Sequence, residues 1–331
     1  MATTTAGLVG IDRIREAAQI LDGVTVRTPL VGFGPAADRH FLKAESLQPI
    51  GAFKLRGAYF AIATLSADKR ARGVITYSSG NHAQGVARAA LLLGVPAVVV
   101  MPSDAPPLKA RRVVADGAEV VVVGPASSER RIVAERIAAE RGLAIIPPYD
   151  DDRIIAGQGT CGLEIVEDMP NVAAILVPIG GGGLASGVAV ATRALNPRTR
   201  VVGVEPELAA DARDSLAAGR IVEWPAERVG RTIADGTRTQ ALGERTFLHL
   251  AALLDSIVTV SEVEIAAAVR LIAEESRLVA EPSGALSVAA LRFHAAEAGL
   301  VGIDGPVVAI VSGGNVDPDR YRTYLEAPIP G

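Results

Sequence analysis

The chain has 331 residues, 49% hydrophobic and 21% charged, with a formal net charge of −4 at pH 7. Such a length supports a full hydrophobic core in one large or two smaller domains, and the composition is that of a globular protein. The acidic balance and scattered Lys/Arg argue against a nucleic-acid or anionic-membrane surface, no apolar run approaches the roughly 18 residues of a membrane span, and the single cysteine, Cys161, excludes an internal disulfide or a multi-cysteine metal site.

The opening "MATTTAGLVGIDRIREAAQIL" has no basic n-region and no apolar h-region, so a secretory signal is not expected and a reducing, cytoplasmic location is. A helical pattern begins near Phe53 in "SLQPIGAFKLRGAYFAIATL" (46–65), with Phe60, Ala61 and Leu65 on its apolar face and Lys54 at its start. A cation there opposes the positive end of the helix dipole, which lowers an amine's pKa and favours its neutral, nucleophilic form. Strands follow at "GVITY" (73–77), "AVVVM" (97–101) and "EVVVV" (119–123), then a helix over 128–142 and an Asp/Pro-rich turn, "PPYDDD" (147–152), that suits a domain boundary. Further strands are expected at "AAILVPI" (173–179), "RVVGVE" (200–205), "SIVTV" (256–260) and "VVAIV" (307–311). A helix over 262–276 is expected to open on a capping box of Ser261 and Glu264. Strands apolar on both faces and separated by helices indicate parallel sheets covered on both sides.

Three of these strands end in small-polar loops: "YSSGNHAQG" (77–85), "PIGGGGLASG" (178–187) and "VSGGNVD" (311–317). Ligands of open parallel sheets bind at such carboxyl ends. Gly180–Gly183 forgo roughly 2–4 kcal/mol relative to alanine, which two or three hydrogen bonds to an anion, at roughly 1.5–3 kcal/mol each, offset. A phosphate is the natural occupant of such a nest. Gly180, Gly182 and Ala185 also satisfy a G-x-G-x-x-G/A pattern with Glu205 at the spacing for a ribose contact, so the loop taken alone leaves a dinucleotide open.

Lys54 within "GAFKLRGA", then "SSGNHAQG", "AGQGT" (156–160), "GGGGL", "EPSGA" (281–285) and "SGGN" follow one another across nearly the whole chain. Together they resemble the fold-type II pyridoxal-phosphate enzymes, in particular the serine/threonine dehydratase and serine racemase group. The resemblance implies a two-domain α/β fold of the tryptophan synthase β kind, with parallel-rich sheets flanked by helices. Residues 1–69 plus 151–331 would form a large cofactor-binding domain, and 70–150 a small domain carrying the substrate-carboxylate loop. It further implies that Lys54 holds pyridoxal 5'-phosphate as a Schiff base, that Phe53 packs on the cofactor ring and that Asn81 bonds its 3-hydroxyl. The amides of Gly180, Gly181, Gly182, Gly183 and Leu184 would take the phosphate, and Ser312 would face the pyridine nitrogen. A serine there is a neutral partner, unlike an aspartate that keeps the ring protonated.

By the same resemblance, Ser78, Ser79, Gly80, Asn81 and His82 receive the substrate carboxylate, and His82 is a general base or a support for that loop. Ser79 would face the cofactor opposite the lysine, as in serine racemases and threo-3-hydroxyaspartate dehydratases. Glu205, Asp211 and the carbonyl of Ala209 match a divalent-cation site whose oxygen-only ligands suit Mg²⁺, Ca²⁺ or Mn²⁺. Ala52 departs from the serine common before the Phe-Lys pair. The chain ends soon after "SGGN", so no regulatory domain of the isoleucine-pathway type is expected. The implied activity is α,β-elimination from L-serine/L-threonine-type β-hydroxy amino acids to a 2-oxo acid and ammonia. Serine racemisation or threo-3-hydroxyaspartate dehydration is the near alternative, and a nicotinamide-dependent oxidoreductase the one from another class. A homodimer with a small-molecule substrate, and neither nucleic acid nor membrane as partner, completes the expectation. His40, His249 and His294 lie outside any motif and are expected to be structural or surface residues, and Cys161 to pack in the core.

Overall fold

Short runs of Val, Ile and Leu make two separate sheets in this computed structural model, which describes residues 7–35, 39–78, 80–103, 105, 107–124 and 127–330. The strands are β1 (Leu30–Gly32), β2 (His40–Lys43), β3 (Val74–Tyr77), β4 (Ala97–Pro102), β5 (Glu119–Val123), β6 (Ala144–Ile145), β7 (Ala174–Pro178), β8 (Arg200–Pro206), β9 (Ser256–Val260) and β10 (Val307–Ile310). A six-stranded sheet runs β1-β2-β10-β7-β8-β9 and a four-stranded sheet β5-β4-β3-β6. Every pairing is parallel except β1 with β2, whose register sets Leu30 opposite Lys43. All seven strands expected from the sequence form. The three that were not expected, β1, β2 and β6, are two to four residues long, too short for an alternating or continuous apolar pattern to declare itself.

Side chains alternate across each strand, and both faces of the six-stranded sheet are buried. Leu176, Val202, Val258 and Ala309 point to one side, against Leu286 and Ala290 of helix Pro282–Phe293. Ile175, Val177, Val201 and Val308 point to the other, against Ile155 and Val188. In the four-stranded sheet Ile75, Val98 and Val100 meet Ala134 and Ile137, while Val99 and Met101 meet Ala83 and Ala87. Helices Asp152–Asp168 and Gly183–Leu195 touch backbone to backbone: a Cβ on Gly187 would lie 2.3 Å from the Ile155 carbonyl oxygen. The capping box at Ser261 and Glu264 is present, with Glu264 N donating to Ser261 Oγ at 3.4 Å and Ser261 N to Glu264 Oε2 at 2.7 Å. The helix it opens ends earlier than the sequence pattern, at Leu271, and passes into a π-turn over Ile272–Ser276 closed by Arg277 in the left-handed region.

A buried ionic cluster fixes helix Lys54–Ala63 in place. Arg56 bonds Glu45 at 2.8 Å and Glu164 at 2.7 Å, and Lys43 bonds Glu164 at 2.6 Å. Thr28 Oγ1 donates to Glu45 Oε1 at 2.6 Å, and Arg56 Nη1 donates to Thr160 Oγ1 at 3.0 Å. Two cations and two carboxylates thus balance in a space closed to water. Such a cluster contributes little net stability, but removing one member leaves an uncompensated buried charge, at a cost of about 3–5 kcal/mol.

Arg56→Met is therefore expected to lower stability by about 3–5 kcal/mol, read from the midpoint of urea unfolding. Burial alone pushes the Glu45 carboxyl up, but the Arg56 charge and hydrogen bonds outweigh it and hold the group below its ordinary 4.5. Its contribution is then complete above pH 4.5 and is lost as pH falls through the folded value. Arg56→Met should remove this acid-side slope. An unchanged midpoint and slope would show that the cluster is not closed.

Candidate active site

Three carboxyl ends of strands open onto one cavity of about 950 Å³ between the two sheets. β7 delivers Gly180–Gly183 and Leu184, β3 delivers Ser78, Gly80, Asn81 and His82, and β10 delivers Ser312. Phe53 and Lys54 line the same space. The loop before the lysine is zipped to the loop after β10: Phe53 N donates to the Ser312 carbonyl at 3.1 Å, Gly314 N to the Gly51 carbonyl at 2.9 Å, and Ala52 bridges Gly313. Lys54 and Ser312 are thereby held on facing segments.

Lys54 is the first residue of its helix, and its Nζ donates to the Pro148 carbonyl at 2.8 Å. Partly open to the cleft but walled by protein, its ammonium is lowered to about 8 by desolvation. Desolvation by the cleft walls thus acts in the same direction as the helix dipole expected at this position. Gly182, at φ +91°, is the N-cap of helix Gly183–Leu195 and turns the loop so that the first amides of that helix stay unbonded. A Cβ on Gly181 would fall 2.1 Å from the Tyr149 ring, so the bare backbone is a requirement of this packing.

Asn81 begins helix Asn81–Leu93, with Oδ1 accepting from Asn315 Nδ2 at 2.9 Å. Ser312, 5% exposed, makes a long 3.4 Å bond to the Ser283 carbonyl. His82 is buried, with Nε2 3.0 Å from the Ile146 carbonyl and Nδ1 without a partner among the described residues. Burial, and then the neighbouring Lys54 charge, push its pKa down to about 3, so the ring is neutral and engaged. This arrangement suits a support for the loop and not a base that takes substrate protons. Ser79 lies outside the described residues.

Glu205, near the end of β8, and Ala209 and Asp211 just beyond it form a second group. Glu205 is fully buried and accepts from the amides of Ala212 at 3.0 Å and Arg213 at 2.8 Å. Desolvation and then the charge of Asp211 push its carboxyl well up. Asp211 is 1% exposed, its Oδ2 has no hydrogen-bond partner among the described residues, and burial lifts it to about 7. Ala209 is buried in the turn Glu207–Ala209 between them. No group of three or more His, Cys, Asp and Glu side chains converges among the described residues.

Several cavity residues carried no signal in the sequence reading: Tyr77, Lys109, Arg130, Arg131, Tyr149 and Asp235. Lys109 is placed by Asp235 and Tyr149 by Ala241, contacts across more than ninety positions of chain. Glu281 sat inside a quoted motif without a task.

Comparison with known proteins places this geometry. A family model described as "Pyridoxal-phosphate dependent enzyme" matches residues 22–313. The chain is 44% identical to an L-threo-3-hydroxyaspartate ammonia-lyase of Saccharomyces cerevisiae, over 88% of this chain and 87% of that protein. It is 42% identical to an L-threonine ammonia-lyase of Thermotoga maritima, over 94% of this chain and 76% of that one. The solved structure of maize serine racemase superposes with a TM-score of 0.90 at 37% identity, covering 96% of this chain and 97% of that one.

The environments of buried His82 and half-buried His294 differ enough to be read in solution. In ¹⁵N NMR, His82 should keep the neutral Nε2–H form from about pH 5 to about pH 8, because its pKa is near 3. His294, although partly desolvated, is bonded by Glu264 and Glu297 and should titrate above its ordinary 6.5. A His82 that titrates near 6.5 would place its ring elsewhere.

Proposed function

The chain belongs to the pyridoxal-phosphate dependent enzymes, and we propose that within that family it is an ammonia-lyase converting L-serine/L-threonine-type β-hydroxy amino acids to a 2-oxo acid and ammonia. The observation that carries this reading is the convergence, in one cavity, of a desolvated lysine, an amide nest at a helix start, Asn81 and Ser312. These residues fit the cofactor. A phosphate matches the unbonded amides of Gly180–Leu184, which a Cβ on Gly181 would disturb. An amine lowered to about 8 deprotonates far more readily than an ordinary lysine, which matches an aldehyde, and the Ser312 hydroxyl, held only at 3.4 Å, is available to a ring nitrogen.

Bound there, the cofactor's conjugated ring would accept the electron pair released when the substrate Cα–H bond breaks. Lys54 Nζ is the group in place to receive that proton. The amides at the start of helix Asn81–Leu93 bind the α-carboxylate, aided by the helix dipole. Phe53 supplies the apolar flank. In this reading Ser79 gives the opposite face a hydroxyl able to exchange a proton, which makes racemisation or elimination from D-substrates a side reaction. The four-stranded layer, within 70–150, acts as the small domain and the remainder as the large one.

A second substrate, L-threo-3-hydroxyaspartate, is favoured by Arg130 and Arg131 on the cavity wall, where Arg131, paired with Glu135 at 2.7 Å, would exchange that carboxylate for the substrate's. The charge of Arg131 is felt at the phenols of both Tyr77 and Tyr149. One charge-assisted bond to a second carboxylate is worth roughly 1.5–3 kcal/mol, about tenfold to a hundredfold in kcat/KM.

The proposal extends to a divalent cation, Mg²⁺, Ca²⁺ or Mn²⁺, held by Glu205, Asp211 and the Ala209 carbonyl with water completing the shell. It is supported by two buried carboxylates that destabilise each other's charged form and by the unpartnered Oδ2 of Asp211. It extends also to a homodimer in the cytoplasm. No helix among the described residues is long and apolar enough to cross a membrane.

Two experiments test this. Purified wild type should be yellow and release ammonia and 2-oxo acid from a panel of L-serine, L-threonine and L-threo-3-hydroxyaspartate, the last preferred about tenfold or more if the arginines bind its second carboxylate. Lys54→Ala should lose the band and essentially all turnover, and Ser79→Ala should lose reactions of D-serine alone. A colourless protein that binds a nicotinamide dinucleotide instead would overturn the reading. For the cation, chelation should lower thermal stability and rate together, since an ion at a hundredfold excess over its Kd stabilises the fold by about 2.7 kcal/mol. Glu205→Gln should abolish the response to added Mg²⁺, and indifference of the wild type to chelator would remove the site.

A further inference from the structure

The carboxylate of Glu281 is 2% exposed and stands at the start of helix Pro282–Phe293, on the cavity wall. Its Oε1 accepts a short hydrogen bond from Asn81 Nδ2. Its Oε2 lies 3.4 Å from Lys109 Nζ, which also donates to Asp235 Oδ2 at 2.7 Å. Lys109 belongs to helix Pro107–Ala115 of the four-stranded layer, whereas Glu281 and Asp235 belong to the six-stranded one. Lys109 is only 3% exposed, so this is a buried tie across the cleft and not a surface ion pair.

The other end of Asn81 is held from the same helix. Asn315 Nδ2 donates to Asn81 Oδ1 at 2.9 Å and to the Ile50 carbonyl at 2.8 Å, while Arg112 donates to Asn315 Oδ1. A carboxylate can only accept and a guanidinium can only donate, so the chain Arg112–Asn315–Asn81–Glu281 has a single consistent direction. It fixes which end of the Asn81 amide is nitrogen. One Nδ2 hydrogen goes to Glu281, and the second remains for a group bound in the cavity. Burial, with the Asp235 charge adding to it, leaves the Glu281 carboxyl above its ordinary 4.5, and the Lys109 charge and the Asn81 bond offset part of that cost. A protonated Glu281 would donate and compete with the Asn81 N–H for direction.

We propose that Glu281 and Lys109 are positioning residues: they set the Asn81 carboxamide with its free N–H toward the cofactor's ring oxygen, and they make that orientation depend on the four-stranded layer lying closed over the cavity. The inference rests on the cofactor reading above. Glu281 acts through Asn81, and Lys109 acts through Glu281. The elimination chemistry itself needs neither side chain at the reacting atoms.

The test is a double-mutant cycle on the purified cofactor-loaded protein, read by the absorbance of the bound cofactor and by its rate of loss on dialysis. Asn81→Ala, Glu281→Ala and Lys109→Met should each shift the absorbance and speed cofactor loss by about tenfold or more. Glu281→Ala added to Asn81→Ala should change nothing further, because the two act as one unit. Glu281→Gln, which still offers Asn81 an acceptor, should restore most of the wild-type spectrum. Additive effects, or a normal spectrum with only a lower unfolding temperature, would reduce Glu281 to a helix-start residue and overturn the proposal. Should Glu281→Ala fail to fold, the Lys109→Met and Glu281→Gln spectra decide between the same outcomes. A wild type without any cofactor band overturns this inference together with the reading beneath it, whereas a wild-type band indifferent to all three variants overturns the inference alone.

Discussion

The placement of Lys54 depends on a side chain two residues further along its helix. Arg56 reaches back into protein with both faces of its guanidinium occupied by Glu45 and Glu164, and its helix cannot rotate or slide without stranding a charge. Lys43 reinforces the same point from β2, so the sheet and two helices share one electrostatic knot. A reactive amine is useful only if its position is set by something other than its own contacts, since those must change during turnover. The knot supplies this: it is dry, charge-balanced and clear of the cavity, so the lysine can exchange partners while its helix stays fixed.

The cavity walls apply the same logic with weaker bonds. Segments 51–53 and 312–314 are tied by backbone hydrogen bonds, which no side-chain substitution can remove, and they carry the lysine and the serine. The glycine loop is set by Tyr149, whose ring fills the space a Cβ would need. The four-stranded layer is joined to this frame by side chains: an apolar core in which Leu55, Ala58 and Ile62 meet Val74, Val86 and Ala89, and the polar ties of Lys109 and Arg112. Backbone ties hold what stays still, and side-chain ties hold the layer whose approach shapes the cavity.

Most of this was legible along the sequence wherever the chemistry is local. Seven strands, the capping box at Ser261, the lysine at a helix start and the three loops at strand ends each declare themselves within a window of a dozen residues. What stayed hidden is long-range. Arg56 resembles a surface arginine of an amphipathic helix until Glu164, more than a hundred positions away, is folded against it. The same holds for Lys109 and Asp235, and for Tyr149 over Gly181. The desolvation that lowers Lys54 was also beyond reach, because a dipole can be read from position in a helix whereas desolvation depends on every wall of the cleft.

Two buried acidic sites near the cavity show how identical residue types come to different ends. Glu281 is pushed up overall by burial and by Asp235, yet a lysine and an amide face it and answer part of its charge within the protein. Glu205 and Asp211 are equally deep, but their mutual repulsion is relieved by the amides of Ala212 and Arg213 and by the more distant Arg213 charge, with no salt bridge to either carboxylate among the described residues. A group whose charge is answered internally can be used to orient a neighbour, as Glu281 orients Asn81. A pair whose charge is not answered must either hold a proton or recruit a cation from outside, and the raised carboxyls of Glu205 and Asp211 stand in that position. The difference lies entirely in what the fold packs opposite each carboxylate: a lysine in one case, another acid in the other.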